Sequence, residues 1–210
     1  MNNSVIVLGG GGHAKVVIEI LRSTGYDVSY CIAASDDVPY CVGVPVLCGD
    51  HHLSRLLDAG HSKLFPGIGS NAVRGRAAEQ ALKLGYELVN AVSPMASISP
   101  SSIIGKGVAI MGGVIVNAES RIEDLAIINT GATVDHDCHV GFSAHVAPQC
   151  ALAGNVRVGD FAFLGIGTKV IPEIVIGENA LVGAGSIIIR DVPPSSKVIN
   201  RMHQIVSQRG

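Results

Sequence analysis

Residues 128–146 read INTGATVDHDCHVGFSAHV, and the aliphatic residues Ile128, Val134, Val140 and Val146 in this stretch stand six apart. Working outward, the same beat holds upstream through Ile122, Val116, Ile110, Ile104 and Ile98, and downstream through Leu152, Val158, Leu164, Val170, Ile176, Val182 and Ile188. Four places after each step the residue is mostly small, as at Ser102, Ser120, Ala126, Ala132, Cys138, Ala144, Cys150, Ala162, Thr168, Ala180 and Ser186. A helix repeats every ~3.6 residues and a strand every ~2, so neither gives a strict period of six. A parallel β-helix of hexapeptide repeats does. Each hexad forms one side of a triangular prism, with the aliphatic residue inward and the small one packed at the corner. Three hexads close a coil, so the span from Ile98 to Ile188 holds about five coils.

The bulk composition agrees. Of 210 residues, 48% are hydrophobic but only 4% aromatic, with no Trp, as suits a narrow interior of Val, Ile and Leu. The 26 glycines fit a corner-rich chain. A net charge of −2 gives no electrostatic case for a nucleic-acid or anionic-membrane partner. No apolar run approaches the ~18 residues of a spanning helix, and the N-terminus has no secretory pattern. The five cysteines are odd in number and lack metal-ligand spacing, which fits a reducing cytoplasm.

Before residue 92 the pattern changes. Val5–Leu8 reads as a strand, Gly9–Gly12 as a loop and Ala14–Leu21 as an amphipathic helix. Further strands are expected at Val28–Ile32, Leu64–Ile68 and Tyr86–Val92, and a helix over Asn71–Lys83 closed by Gly85. Strands alternating with helices predict a parallel α/β sheet. The junction is placed at Val92-Ser93-Pro94, dividing the chain into 1–92 and 93–210.

The loop Gly9-Gly10-Gly11-Gly12-His13-Ala14 lies between a strand and a helix, where amide N–H groups and the helix N-terminus attract an anion. It reads as a seat for a nucleotide or phosphorylated ligand, a loose dinucleotide fingerprint, or a tight structural turn. Asp36 and Asp37, after the second strand, could receive a ribose hydroxyl or a base N–H; a solvated acidic loop is the alternative. Gly69-Ser70-Asn71 is a second strand-to-helix turn, with Asn71 either a helix N-cap or part of a ligand cleft.

The chemistry is expected between Asn129 and Val146, where His136, His139 and His145 fall within ten residues. His136 lies two places after the inward Val134 and so points out of the prism, beside Asp137. A histidine with a carboxylate neighbour suits a general base near neutral pH. The three histidines lack the eighteen-residue spacing that would stack them, and Gly154 holds that position relative to His136, so no metal is expected. Cys138 falls on the small-residue beat, in packing.

The hexads, the Gly-Gly-Gly-Gly-His-Ala loop and the Asn129…Asp135-His136-Asp137…Ser143-Ala144-His145-Val146 block together resemble the sialic acid O-acetyltransferases and the bacillosamine-type and GDP-perosamine sugar N-acetyltransferases. The resemblance covers nearly the whole chain. It implies a small Rossmann-like α/β domain that holds a sugar nucleotide, followed by a left-handed parallel β-helix that binds acetyl-CoA. It implies a homotrimer with the coenzyme between adjacent β-helices. The reaction implied is N-acetylation of a UDP- or GDP-linked amino-deoxy sugar, with O-acetylation of sialic acid or a related sugar as the alternative. By match to the family motif, His136 is the base and Asp137 its partner. His13, at the end of the glycine loop, stands near the sugar and Asp36 and Asp37 near the nucleotide base; Gly11 and Gly12 of that loop and the Gly69-Ser70-Asn71 turn are taken as substrate-binding from their strand-to-helix positions. Asn129, His145 and the Gly154-Asn155 backbone face the acetyl group, and Gly165, Gly167, Gly183 and Ala184 line the pantetheine groove. Two features depart from the family: Asp137 where Glu is frequent, and Val198-Ile199-Asn200-Arg201-Met202 in place of a Gly-x-Pro-Ala-type loop.

Overall fold

The structure, a computed structural model, describes residues 3–35 and 38–199. The α/β part contains β1 (Ser4–Leu8), α1 (Gly12–Ser23), β2 (Asp27–Ala33), β3 (Tyr40–Cys41), β4 (Val44–Cys48), α2 (His52–Asp58), β5 (Lys63–Pro66), α3 (Asn71–Leu84) and β6 (Glu87–Leu88). The sheet order is β3-β4-β2-β1-β5-β6. β1 is central and fully buried, as its unbroken apolar run requires. Its alternate side chains serve two cores. Val5 and Val7 pack with α1 and the prism wall, whereas Ile6 and Leu8 pack with α2 and α3.

The expected parallel sheet is mixed at its edge. β3 pairs antiparallel with β4, Tyr40 opposite Pro45 and Cys41 opposite Val44. Their turn is Val42-Gly43, both at positive φ (50° and 75°). A β-branched residue is a poor signal for such a turn, and Pro45 argues against a strand. That is why no hairpin is expected from the sequence over residues 40–48. The strand expected over Leu64–Ile68 ends at Pro66, where the chain turns through Gly67. The strand expected over Tyr86–Val92 is split. Glu87–Leu88 closes the α/β sheet, whereas Ala91–Val92 pairs with Ala109–Ile110 and lays the first rung of the prism.

The prism is a left-handed β-helix of two-residue strands in three parallel sheets of seven, six and five strands. Register is eighteen residues from Ala91 to Ile188, as where Thr133 pairs with Ala151, His139 with Arg157 and His145 with Phe163, and drops to sixteen on the last rung, where Leu181 pairs with Lys197. We call the walls by the pairs Ile127–His145, Thr133–Ala151 and His139–Arg157. The beat residues and the small residues four places later fill one core together, Val134, Cys138, Val140, Ala144 and Val146 among them.

From Gly107 to Gly185 every sixth residue has positive φ, and each is a corner. Glycine holds few of them: Leu125, Asp137, Ser143, Asn155 and Phe161 also occupy the left-handed region. Glycine abundance is therefore not chiefly a matter of corner φ. At Gly141 and Gly159 the reason is close stacking, since a Cβ would lie 2.7 Å from Asp160 N and 2.5 Å from Glu178 N of the next coil.

The α/β part covers the Ile127–His145 wall, where Ala91, Ala109, Met111 and Ile127 join Val5, Val17 and Phe65 in one core. Among the described residues no helix is long and apolar enough to cross a membrane.

Candidate active site

His136 sits at the corner between the Thr133–Ala151 and His139–Arg157 walls, opposite the wall that carries the α/β part. The left-handed backbone of Asp137 (φ 57°) turns its carboxylate back, and His136 Nδ1–H donates to Asp137 Oδ2 at 2.7 Å. The shorter Asp therefore reaches the ring. Both side chains are more than half exposed. The hydrogen bond to Asp137, and then the charge of Asp135, hold the imidazole above its usual pKa. Asp135 in turn accepts from His136 N (2.8 Å) and Asn117 Nδ2 (2.9 Å), which keeps its carboxyl ionised below the usual range.

Directly beneath, one coil on, is Gly154. A Cβ there would lie 2.6 Å from His136 Cε1 and 2.7 Å from Nε2. The ring occupies the space a side chain would need. The Asn155 N–H is engaged with the His136 carbonyl at 2.9 Å. Among the described residues the Gly154 N–H has no acceptor.

His145 lies on the opposite wall, buried. Asn129 Nδ2 donates to His145 Nε2 at 3.1 Å, which leaves the proton on Nδ1. Phe163 packs edge-on against the ring at 5.1 Å. Burial, and then the nearby Arg74 cation, push the His145 pKa down to about 4. His13 lies close by and is pushed down to about 4 for the same two reasons. His145 Nδ1 and His13 Nε2 are buried without hydrogen-bond partners. Asn129 heads a column of corner positions, one per coil, that continues through Ala147, Gly165 and Gly183. Gly167 lies at the next turn of that corner, and Ala184 stacks on Gly165. The result is a smooth, small-residue track leading away from His145. Cys138 is in the prism core, its thiol raised by burial. His136 stands at a corner and His139 and His145 on two different walls, and His139 is bonded to Glu123 at 3.0 Å, so within one chain the three do not converge.

In the α/β part, Gly9 and Gly67 are glycine for internal reasons: Gly9 has φ 113°, and a Cβ on it would meet Gly67 O at 2.7 Å. Gly11 and Gly12 have no such reason. They are exposed, have no positive φ, and an added Cβ would meet nothing within 4 Å. Gly11 is the N-cap of α1 and has no side-chain cap, so the first-turn N–H groups are open. Gly69, Ser70 and Asn71 border an open cleft of about 320 Å³ with Ala72, Phe161, Phe163 and Asn179. The N-cap of α3 is Ser70, not Asn71. Asn71 instead sends its amide to Phe161 O (2.9 Å) and Ala162 O (3.1 Å) of the prism. Asp36, Asp37 and residues 200–202 lie outside the described residues. A larger cavity, about 540 Å³ between Ile187 and Val198, lies on the last coil, well away from His136.

Sequence reasoning missed Arg74. It is fully buried, and all its N–H groups are used by the protein. A lone Arg on a helix reads as exposed, and nothing in the local pattern marks it otherwise.

A hexapeptide β-helix with a small-residue track and an exposed histidine–carboxylate pair defines an acetyl-CoA-dependent acetyltransferase. The comparisons narrow this. The family described as the PglD N-terminal domain matches residues 4–81. PerB from Caulobacter crescentus, solved with CoA and GDP-perosamine, is 50% identical over 92% of each chain, with a TM-score of 0.90. The acetyltransferase domain of PglB from Neisseria gonorrhoeae is 33% identical over 93% of this chain and 96% of that one, with a TM-score of 0.87. The chain belongs to the sugar N-acetyltransferase family. The serine acetyltransferase of Mycobacterium tuberculosis is 31% identical over 113 residues, 53% of this chain, and the chain spans 45% of that relative's length.

Proposed function

We propose that the protein moves acetyl from acetyl-CoA to the amino group of a nucleotide-linked 4-amino-4,6-dideoxy sugar by direct attack. The observation that carries this reading is the His136–Asp137 pair. Asp137 holds the proton on Nδ1, which leaves Nε2 as the base. The sugar amine gives its proton to Nε2 as its nitrogen attacks the thioester carbonyl. The Gly154 N–H beneath the ring would receive the developing oxyanion, an interaction often worth ~3–4 kcal/mol. Coenzyme A leaves as the thiolate, and no covalent enzyme intermediate is needed.

The donor would lie along Asn129, Ala147, Gly165 and Gly183, its acetyl end near His145 and its arm past Gly167 and Ala184. The acceptor's phosphates would lie over Gly11 and Gly12 at the α1 N-terminus, with the sugar near His13 and the Gly69-Ser70-Asn71 turn. Missing side chains at two glycines with open space above them support a ligand there. In this division residues 1–92 hold the acceptor and 93–210 the donor. Asp36 and Asp37 remain our assignment for the nucleotide base. Identity of 50% to a relative solved with GDP-perosamine favours guanosine over uridine.

The site is completed by a second copy in a homotrimer. What supports this is the placement of His136 on the corner opposite the His13–His145 wall, so that one chain cannot bring both to one acceptor. The free thiols of all five cysteines fit a cytoplasmic protein. O-acetylation of a sialic acid would need a cation for its carboxylate. Arg74 has no free donor, so that alternative would rest on the exposed Lys15, two residues after His13.

The test is coenzyme A thiol release with acetyl-CoA and a panel of UDP- and GDP-linked 4-amino-6-deoxy sugars, with free sialic acid as O-acceptor. Turnover with a GDP-linked amino sugar is expected. Turnover with sialic acid alone would overturn the reading.

A further inference from the structure

Arg74 is a cation with no carboxylate partner, buried between the two halves of the molecule. Its Nε donates to Leu125 O at 2.8 Å and its Nη2 to Ser143 O at 2.8 Å. Its Nη1 donates to Ile68 O at 2.9 Å and Gly69 O at 3.2 Å, and Nη2 also reaches Asn71 Oδ1 at 2.9 Å. Asn71 extends the pattern to Phe161 O, and Ser143 Oγ donates back to Asn71 O at 3.0 Å.

The prism acceptors are not scattered. Leu125, Ser143 and Phe161 are eighteen apart, one per coil, and all three are left-handed corners with φ of 61°, 51° and 57°. Ladder bonds at this corner use the carbonyls one residue earlier, Asp124 for Ser143 N and Phe142 for Phe161 N. The left-handed turn leaves the corner carbonyls facing out as a vertical column. Asn71 and Arg74, three apart and so on one face of α3, read that column. A planar guanidinium can bridge several carbonyls at fixed angles, which a lysine ammonium cannot.

The same guanidinium holds the Ile68 and Gly69 carbonyls, and Gly69 lies beside both His13 and the wall of His145. We propose that Arg74 is a positioning residue that locks the Gly67–Asn71 turn to the corner-carbonyl column, fixing the acceptor turn at one height relative to His145. This rests on the acceptor reading above. Arg74 touches neither substrate, since its donors are all taken.

Two variants test it, Arg74→Lys and Arg74→Met, studied as the full chain. Arg74→Lys keeps the charge and loses the fork. We expect the acceptor KM to rise at least tenfold in Arg74→Lys and further in Arg74→Met, with the acetyl-CoA KM within twofold of wild type. A merely structural role would lower Tm and leave this split unseen. Hydrogen exchange supplies a readout that needs no acceptor: amides of residues 66–76 should exchange at least tenfold faster in Arg74→Lys, while those of 151–188 stay unchanged. Unchanged exchange at 66–76, or an acceptor KM within twofold of wild type in both variants, overturns the proposal. Faster exchange in a protein whose wild type turns over no amino sugar nucleotide supports the lock and sinks the acceptor reading instead.

Discussion

His136 and His145 are nine residues apart in the same coil of the prism, and the molecule treats them in opposite ways. His136 stands at an exposed corner beside two carboxylates, which raise its pKa. His145 is buried under the α/β part beside a cation, with its pKa near 4. The first can take up a proton near neutral pH; the second stays neutral and can only donate or accept a hydrogen bond. The sequence places the two within ten residues of each other and already gives them different parts, His136 as base and His145 beside the acetyl group. Wall and corner separate them, because one side chain faces solvent and the other a neighbouring layer.

Substitutions can break this contrast, in order of expected effect. His136→Ala should lower turnover by about 10²–10⁴ in the thiol-release assay, as expected for loss of a general base; near wild-type turnover would end its assignment. Gly154→Ala should lower kcat by roughly 10², because its methyl takes the place of the ring and misplacement of about 1 Å costs that much. A Tm close to wild type would confine that effect to the site. His145→Ala should lower kcat/KM for acetyl-CoA by about tenfold, the loss of one neutral hydrogen bond of ~1–1.5 kcal/mol. Co-expression of His136→Ala with His145→Ala should then give mixed assemblies more active than either alone, and no gain would argue against a site shared between copies.

The smallest effect is a shift along the pH axis. His136 is the base only when unprotonated, so activity falls as pH drops through its raised pKa. Asp137→Asn removes the first cause of that rise, and the acid limb of kcat/KM should move to lower pH even as kcat falls. No second ionisation from His13 or His145 should appear between pH 5 and 8 in the wild-type profile, since both remain neutral down to about 4.

The contrast also marks what a sequence can say. The prism was readable because every coil repeats the same demand for an inward aliphatic residue, and Val134 fixed the outward direction of His136. The pairing with Asp137 was readable as adjacency. It was not readable that a left-handed corner turns the shorter carboxylate toward Nδ1. Asn71 looked like a cap because it follows a turn, but Ser70 is the cap and Asn71 reaches the prism about 90 residues away. Arg74 was invisible for a related reason. Its partners exist only once three coils have stacked and their corner carbonyls have lined up. Val42-Gly43 failed on chemistry, since a β-branched residue at positive φ is not a turn signal.

The column from Asn129 through Ala147, Gly165 and Gly183 turns the prism into a gauge. Coils stack about 4.8 Å apart, so three steps measure roughly 14 Å from the amide that meets His145 to the far glycine. An extended thioester arm laid on that scale has its reactive end set by a count of coils, not by a grip on the acyl group itself. Removing one eighteen-residue coil below His145 would shorten the scale by a single graduation. Reach along this track is thus inherited from chain length, and the acceptor half needs only to hold its nitrogen at the zero mark.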